Sequence, residues 1–155
     1  MKSARLTRWV PFEPHELFPI IARVEDYAEF LPLCVGSRIW NKTFGADQVD
    51  RFEAELTIAY PKLSIREVFT SSVVADHRKL TVAAFSRQPP VKYLDCIWRL
   101  RAARGGTEIE MSLDYAIASR PLEFLLHGLF DYAMRRIMTA FEDRARNLLA
   151  HRAVS

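Results

Sequence analysis

The chain has 155 residues, half of them hydrophobic and 26% charged, enough for one ordinary globular domain with a real core over residues 1–155. A formal charge of +3 and a pI near 9.0 are a mild basic excess, which permits an anionic membrane surface or RNA as partner and demands neither. No apolar run approaches the ~18 residues that span a bilayer, Lys2, Arg5 and Arg8 precede no signal-like apolar segment, and Cys34 and Cys96 lie too far apart for a zinc site or a CxxC pair.

Both cysteines are expected to be reduced thiols in a cytosolic setting. Residues 3 to 10 read as a first strand, ended by Pro11, and Pro14 suits the first turn of a helix over 14 to 24 that buries Leu17, Phe18, Ile20, Ile21 and Val24. Tyr27 to Cys34, cut by Pro32, is expected to be a second, brief helix leading into a strand. From residue 36 the period becomes two. Phe52, Ala54, Leu56 and Ile58 alternate with Arg51, Glu53, Glu55 and Thr57; Leu94, Cys96, Trp98 and Leu100 with Asp95, Ile97, Arg99 and Arg101; and Ile109, Met111, Leu113 and Tyr115 with Glu108, Glu110, Ser112 and Asp114. Arg104-Gly105-Gly106-Thr107 is a hairpin turn signal. Less regular strands are expected over 37 to 44, 63 to 74 and 79 to 86, with Pro89-Pro90 in a loop.

The last stretch, 119 to 150, has helical spacing and would be roughly 45 Å long at ~1.5 Å per residue. Ser119 is its expected N-cap, Pro121 and Glu123 suit its first turn, and Arg144, Arg146, His151 and Arg152 suit its far end. Leu122, Leu126, Leu129, Phe130, Ala133, Ile137, Phe141 and Leu148 fall near one stripe, widened by Leu125, Met134 and Met138. So broad a stripe asks for a curved partner. Strand, helix, short helix, six strands and a long helix give an α+β domain in which a twisted seven-stranded antiparallel sheet cradles the final helix.

Catalytic patterns are missing from the sequence: it has no GxGxxG, P-loop, GxSxG, HExxH or metal-spaced cluster. His15, His77, His127 and His151 read as exposed or capping residues, with His127 the one that could face inward. Asp95, Glu108, Glu110 and Asp114 fall on wet faces, and the dry face offers Tyr115, Cys96 and the Trp98 indole as its polar handles. A cavity between such a sheet and helix would be apolar and suit a lipid-like ligand. Its candidate lining is Phe52, Leu56, Met111 and Leu113 from the strands and Leu126, Phe130, Ala133 and Ile137 from the helix, each with a filled core as the rival reading. Gly128, costing ~1 kcal/mol inside a helix, marks either a close approach or a cavity mouth. Lys2, Arg5, Arg8, Arg135 and Arg136 are solvated on the default reading, and would dock on anionic headgroups where they share a surface with exposed apolar residues.

VPFEPHELFPIIARVEDYAEFLPLCVGSR near the N-terminus, VKYLDCIWRL in the middle and MTAFEDRARNL near the end resemble the ubiquinone-binding START-like family, which includes a coenzyme Q chaperone and a ribosome-association toxin. The resemblance implies a helix-grip fold, a hydrophobic tunnel for a polyprenyl quinone, no catalysis and no required cofactor. It implies that Tyr27, Phe30, Leu31 and Pro32 gate the cavity and that Trp98 and Phe141 help wall it. Gln88-Pro89-Pro90-Val91 departs from a Gly-Pro-Phe type turn common in the family. The expected function is non-enzymatic ubiquinone binding that supports respiratory electron transport, at the inner-membrane surface or in the cytoplasm. The alternatives are binding to the large ribosomal subunit and, last, a polyketide cyclase, which would need acid and base groups inside the cavity.

Overall fold

Alternating apolar and polar residues make each strand dry on one side, and a computed structural model, describing residues 2–126 and 130–153, shows how those dry sides join. The strands are β1 (Lys2–Val10), β2 (Cys34–Phe44), β3 (Val49–Tyr60), β4 (Ile65–Asp76), β5 (Thr81–Ser86), β6 (Val91–Ala103) and β7 (Gly106–Ile117). They form one antiparallel sheet in the order β1-β7-β6-β5-β4-β3-β2. The expected strands are all present, most of them a few residues longer than the alternation alone marks. Arg104 and Gly105 turn the β6–β7 hairpin with φ of 50° and 78°, the two left-handed residues that a tight hairpin loop asks for.

Pro14 opens helix α1 (Pro14–Ala22) as expected, but the helix ends two residues early. Val24 instead begins a 3₁₀ segment, Val24–Glu29. That segment is the brief second helix, displaced toward the N-terminus because Pro32 keeps its own neighbourhood out of helical geometry. The C-terminal helix is described as α2 (Arg120–Leu126) and α3 (Phe130–Ala153); His127, Gly128 and Leu129 lie outside the described residues, and with them the reading of Gly128. Ser119 caps α2: the Leu122 amide donates to its Oγ at 3.4 Å and the Glu123 amide to its carbonyl at 2.9 Å.

Strand register sorts the concave face into rows. Leu6, Met111, Trp98, Val82, Ala75 and Asp50 are neighbours across six strands, and the four central members are buried. The next row, toward α2, is Ala4, Leu113, Cys96, Ala84, Val73 and Phe52; its first four members are only half-buried. Met134, Met138, Phe141 and Ala145 of α3 are buried at spacings of four, three and four, with Leu149 packed behind them. The two methionines therefore form the centre of the stripe rather than its margin. Leu148, expected on the stripe, is 51% exposed, because it stands about 100° round the helix from Leu149.

Candidate ligand-binding site

Gate and wall residues prove to be one cluster. The Phe141 ring meets Tyr27, Phe30 and Trp98 edge to face at centroid distances of 5.3, 5.2 and 4.9 Å, and Tyr27 meets Phe30 at 5.9 Å. This is the preferred arrangement of aromatic quadrupoles. The Tyr27 hydroxyl donates to the Ile21 carbonyl, and burial, with the Cys96, Glu25 and Cys34 sites adding, pushes the phenol pKa far up. Ser37 ties the 3₁₀ segment to β2, accepting from the Ala28 amide at 3.0 Å and donating to the Glu25 carbonyl at 2.7 Å. Leu31 packs half-buried against the same core, and Arg144 lies 5.0 Å over Phe30 while pairing with Glu29 at 3.3 Å. Pro32 is half-buried beside them. This end of the concave face is filled.

The neighbouring row differs. Burial pushes the Cys96 thiol up to about 12, yet solvent still reaches part of the residue. Leu113 beside it, Leu56 on β3 and Ala133 and Ile137 on α3 are likewise half-buried, whereas Phe52 and Met111 are buried at 4% each. The candidate lining thus divides: Phe52, Met111, Trp98 and Phe141 belong to the packed floor, and Leu56, Leu113, Ala133 and Ile137 surround the looser half with Cys96. The side chains of Leu126 and Phe130 lie outside the described residues.

Two polar groups on the concave side were missed by sequence reasoning. Asp50 is buried and receives His77 Nε2 at 2.9 Å, with Lys42 Nζ at 3.9 Å; the His77 ring is flanked by Phe18 and Phe44. Extending the alternation 52, 54, 56, 58 back by one step would have put Asp50 inside. Arg8, expected to be solvated, instead reaches α3, donating to Thr139 Oγ1 at 2.8 Å and to Glu142 at 3.2 Å. The wet-face acids are where they were expected, held by Arg87 (Asp95), Arg101 (Glu108), Arg99 (Glu110) and Ser3 (Asp114). No cluster of three or more His, Cys, Asp or Glu that could hold a metal occurs among the described residues.

Beyond the looser half, a groove of about 460 Å³ opens between β4, the β5–β6 loop and the start of α2, lined by Arg66, Glu67, Val68, Pro89, Pro90, Ala118 and Ser119. Ser119 Oγ donates to Glu67 at 2.6 Å across it. A second groove of about 320 Å³, on the sheet's outer face, is lined in part by the Arg99–Glu110 and Arg101–Glu108 pairs and is no part of the interior.

A family model described as polyketide cyclase / dehydrase and lipid transport matches residues 10–142. The chain is 26% identical over 152 residues to the ribosome association toxin RatA of Rickettsia prowazekii, covering 96% of this chain and 99% of that one. It is 31% identical over 131 residues to the mitochondrial coenzyme Q-binding protein coq10 of Schizosaccharomyces pombe, covering 83% and 74% respectively. The solved 18 kDa protein CC1736 of Caulobacter crescentus is similar with a TM-score of 0.80 and 27% identity, over 97% of this chain and 99% of that one. The family match begins at the last residue of β1 and ends just past Phe141, so it takes in both the sheet and the helix that the sheet grips: the chain belongs to the polyketide cyclase / dehydrase and lipid transport family, with the START-like helix-grip fold.

Proposed function

We propose that this chain binds a polyprenyl quinone, ubiquinone or a close isoprenoid relative, in the space beside Cys96, without catalysing a reaction on it. The observation that carries the reading is the half-buried apolar row at Cys96 and Leu113 next to a row whose central members, Met111, Trp98, Val82 and Ala75, are buried. The likeness to a protein named for coenzyme Q binding supports the ligand class. An isoprene tail needs no polar partner: at ~0.8 kcal/mol per buried CH₂, a few C5 units supply useful affinity. In this reading Leu56, Leu113, Ala133 and Ile137 touch the tail, together with Leu126 and Phe130, while Tyr27, Phe30, Leu31 and Pro32 close the packed end and Phe52, Met111, Trp98 and Phe141 form the floor.

Cyclase chemistry, which the family description also names, is disfavoured by the groups at hand. A general base must be deprotonated near the substrate at working pH, and the Cys96 thiol and the Tyr27 phenol are both held protonated. Asp50 and His77 spend their hydrogen bond on each other at the rim. The test is organic extraction of purified protein with mass spectrometry of the extract, followed by titration with ubiquinone monitored by the quenching of tryptophan fluorescence. Cys96→Phe, which fills the space, should weaken binding at least about tenfold while the fold persists. Recovery of no quinone and no response to added quinone, or equal affinity in the Cys96→Phe protein, removes the reading.

The likeness to a ribosome association toxin, end to end in both chains, favours a second reading in which the protein binds the large ribosomal subunit. Co-sedimentation with purified subunits at moderate salt tests it. No helix among the described residues is long and apolar enough to cross a membrane.

A further inference from the structure

Many of the exposed cations of this chain are neutralised where they stand. Arg38 pairs with Glu55, Arg99 with Glu110, Arg101 with Glu108 and Arg87 with Asp95. Lys62, Arg66 and Arg120 are each exposed, and none of the three, any more than Lys2, Arg5, Lys92 or Arg135, makes an ion pair or side-chain hydrogen bond with the described residues. All three stand at one end of the molecule. Arg66 lines the groove that Ser119, the residue before Arg120, closes from the other side. Lys62 lies in the hairpin tip just before β4, whose first residue pairs with Tyr60.

The same end exposes large apolar side chains: Leu63 at 46%, Val68 at 43% and Phe124 at 74%, the highest value among the large hydrophobic residues described. Arg120 and Phe124, four apart on α2, share a helix face. Exposed Val35 and Phe44 stand apart at the two ends of β2, whose cations Arg38 and Lys42 are already paired with Glu55 and Asp50. Acids near the groove are Glu67, engaged by Ser119, and the exposed Glu123.

We propose that the end formed by the β3–β4 hairpin tip and α2 docks on an anionic phospholipid bilayer, with Leu63 and Phe124 entering the apolar boundary and Lys62, Arg66 and Arg120 at the phosphates. Unpaired cations around exposed apolar side chains are what such an interface recognises. A nucleic acid surface would ask for aromatic platforms among denser cations, and here Phe124 is the exposed aromatic, with Tyr60 at the hairpin tip half-buried. The placement moves the docking face away from Arg8, which is bound to α3. It goes beyond quinone binding and does not require it, because a chain with no affinity for quinone would still bind such a surface.

The test uses the full chain, sedimented with vesicles of phosphatidylcholine with and without phosphatidylglycerol, all free of quinone. Binding is expected to require phosphatidylglycerol. At about fivefold per cation, the Lys62→Ala/Arg66→Ala/Arg120→Ala triple variant should lose about a hundredfold in affinity, and Phe124→Ser at least about tenfold. Arg78→Ala/Lys79→Ala, at the far end of β4, is the control and should lose less than about threefold. Failure of the unmodified chain to bind anionic vesicles overturns the proposal, as does an equal loss per cation in the control. Capture of ribosomal subunits that the triple variant abolishes, with vesicles unbound, also overturns it and assigns the patch to RNA.

Discussion

Replacing Phe141 with leucine removes three edge-to-face ring contacts at once, to Tyr27, Phe30 and Trp98 at 5.3, 5.2 and 4.9 Å. Each such pair contributes about 0.5–1.5 kcal/mol beyond area burial. With the site 3% exposed, little solvent can move in to relieve the smaller side chain. The expected loss is about 2–4 kcal/mol, a large part of the ~5–15 kcal/mol available to a domain of this size. Equilibrium urea unfolding followed by circular dichroism measures it, and the slope against urea should stay unchanged. A cycle with Trp98→Leu should show coupling of about 0.5–1.5 kcal/mol between the two positions. A loss below about 1 kcal/mol, or strictly additive effects, would falsify the view that gate and wall are one packed unit.

Other outcomes follow from single contacts. Tyr27→Phe keeps the ring but strands the buried Ile21 carbonyl, so about 1–2 kcal/mol should be lost in the same urea assay. His77→Ala leaves Asp50 with Lys42 3.9 Å away as its remaining charged partner; a cost of about 1–3 kcal/mol is expected, and Asp50→Ala on top of it should add much less than it does alone. Cys96 makes stability depend on alkaline pH. Its thiol titrates at about 12 in the folded chain against 9.0 in an ordinary thiol, so between those values the unfolded state holds fewer protons than the folded one. Stability is therefore intact below pH 9 and falls by roughly 1 kcal/mol per pH unit above it. Cys96→Ala should flatten that fall relative to the parent chain, and identical pH profiles for the two proteins would refute the assignment.

Much of this was readable in the residues, for physical reasons. A period of two with Phe52, Ala54, Leu56 and Ile58 on one side can satisfy its backbone and bury its apolar face only as a sheet strand, and Arg104-Gly105 supplies the positive φ angles that close the hairpin. The apolar stripe of the last helix likewise required a concave partner. What stayed hidden depends on tertiary coincidence. Asp50 looks like a turn residue until His77, 27 positions later, is seen to meet it across the β3–β4 ladder. Arg8 looks solvated until Thr139 and Glu142 arrive from α3. Packed and half-open rows of one dry face have the same apolar character, so Met111 and Leu113 were indistinguishable as lining candidates; only their positions beneath different parts of the C-terminal helix separate them.

The distribution of helix anchors bears on how a lipid would enter. Arg8 holds Thr139 and Glu142, Arg144 holds Glu29, and Met138, Phe141 and Ala145 are buried at 3% or less; all these contacts lie in the middle of α3, from Met138 to Ala145. Toward the start of the helical region the described attachments are the Ser119–Glu67 hydrogen bond, the Ala118 and Ser119 amides donating to the Pro90 carbonyl at 2.7 and 3.0 Å, the buried Leu122 and the buried Met134. Opening at the Phe141 end would break three ring contacts and two ion pairs together, whereas opening at the α2 end would break, among the described residues, no ring contact and no ion pair but the hydrogen bonds to Glu67 and Pro90, and would uncover Leu122. Local opening follows the smaller cost. On the proposed quinone reading, Tyr27 to Pro32 would stay closed at the packed end while ligand enters elsewhere. The entrance would then fall at the groove between Val68, Pro90 and Ser119, the end at which Lys62, Arg66 and Arg120 stand. Disulfide closure across that groove, through cysteines at positions 67 and 119 in a Cys34→Ala/Cys96→Ala background, should slow quinone uptake strongly and recover on reduction. Tethering position 31 to the C-terminal helix should leave the rate unchanged, and the reverse pattern would return the gate to Leu31.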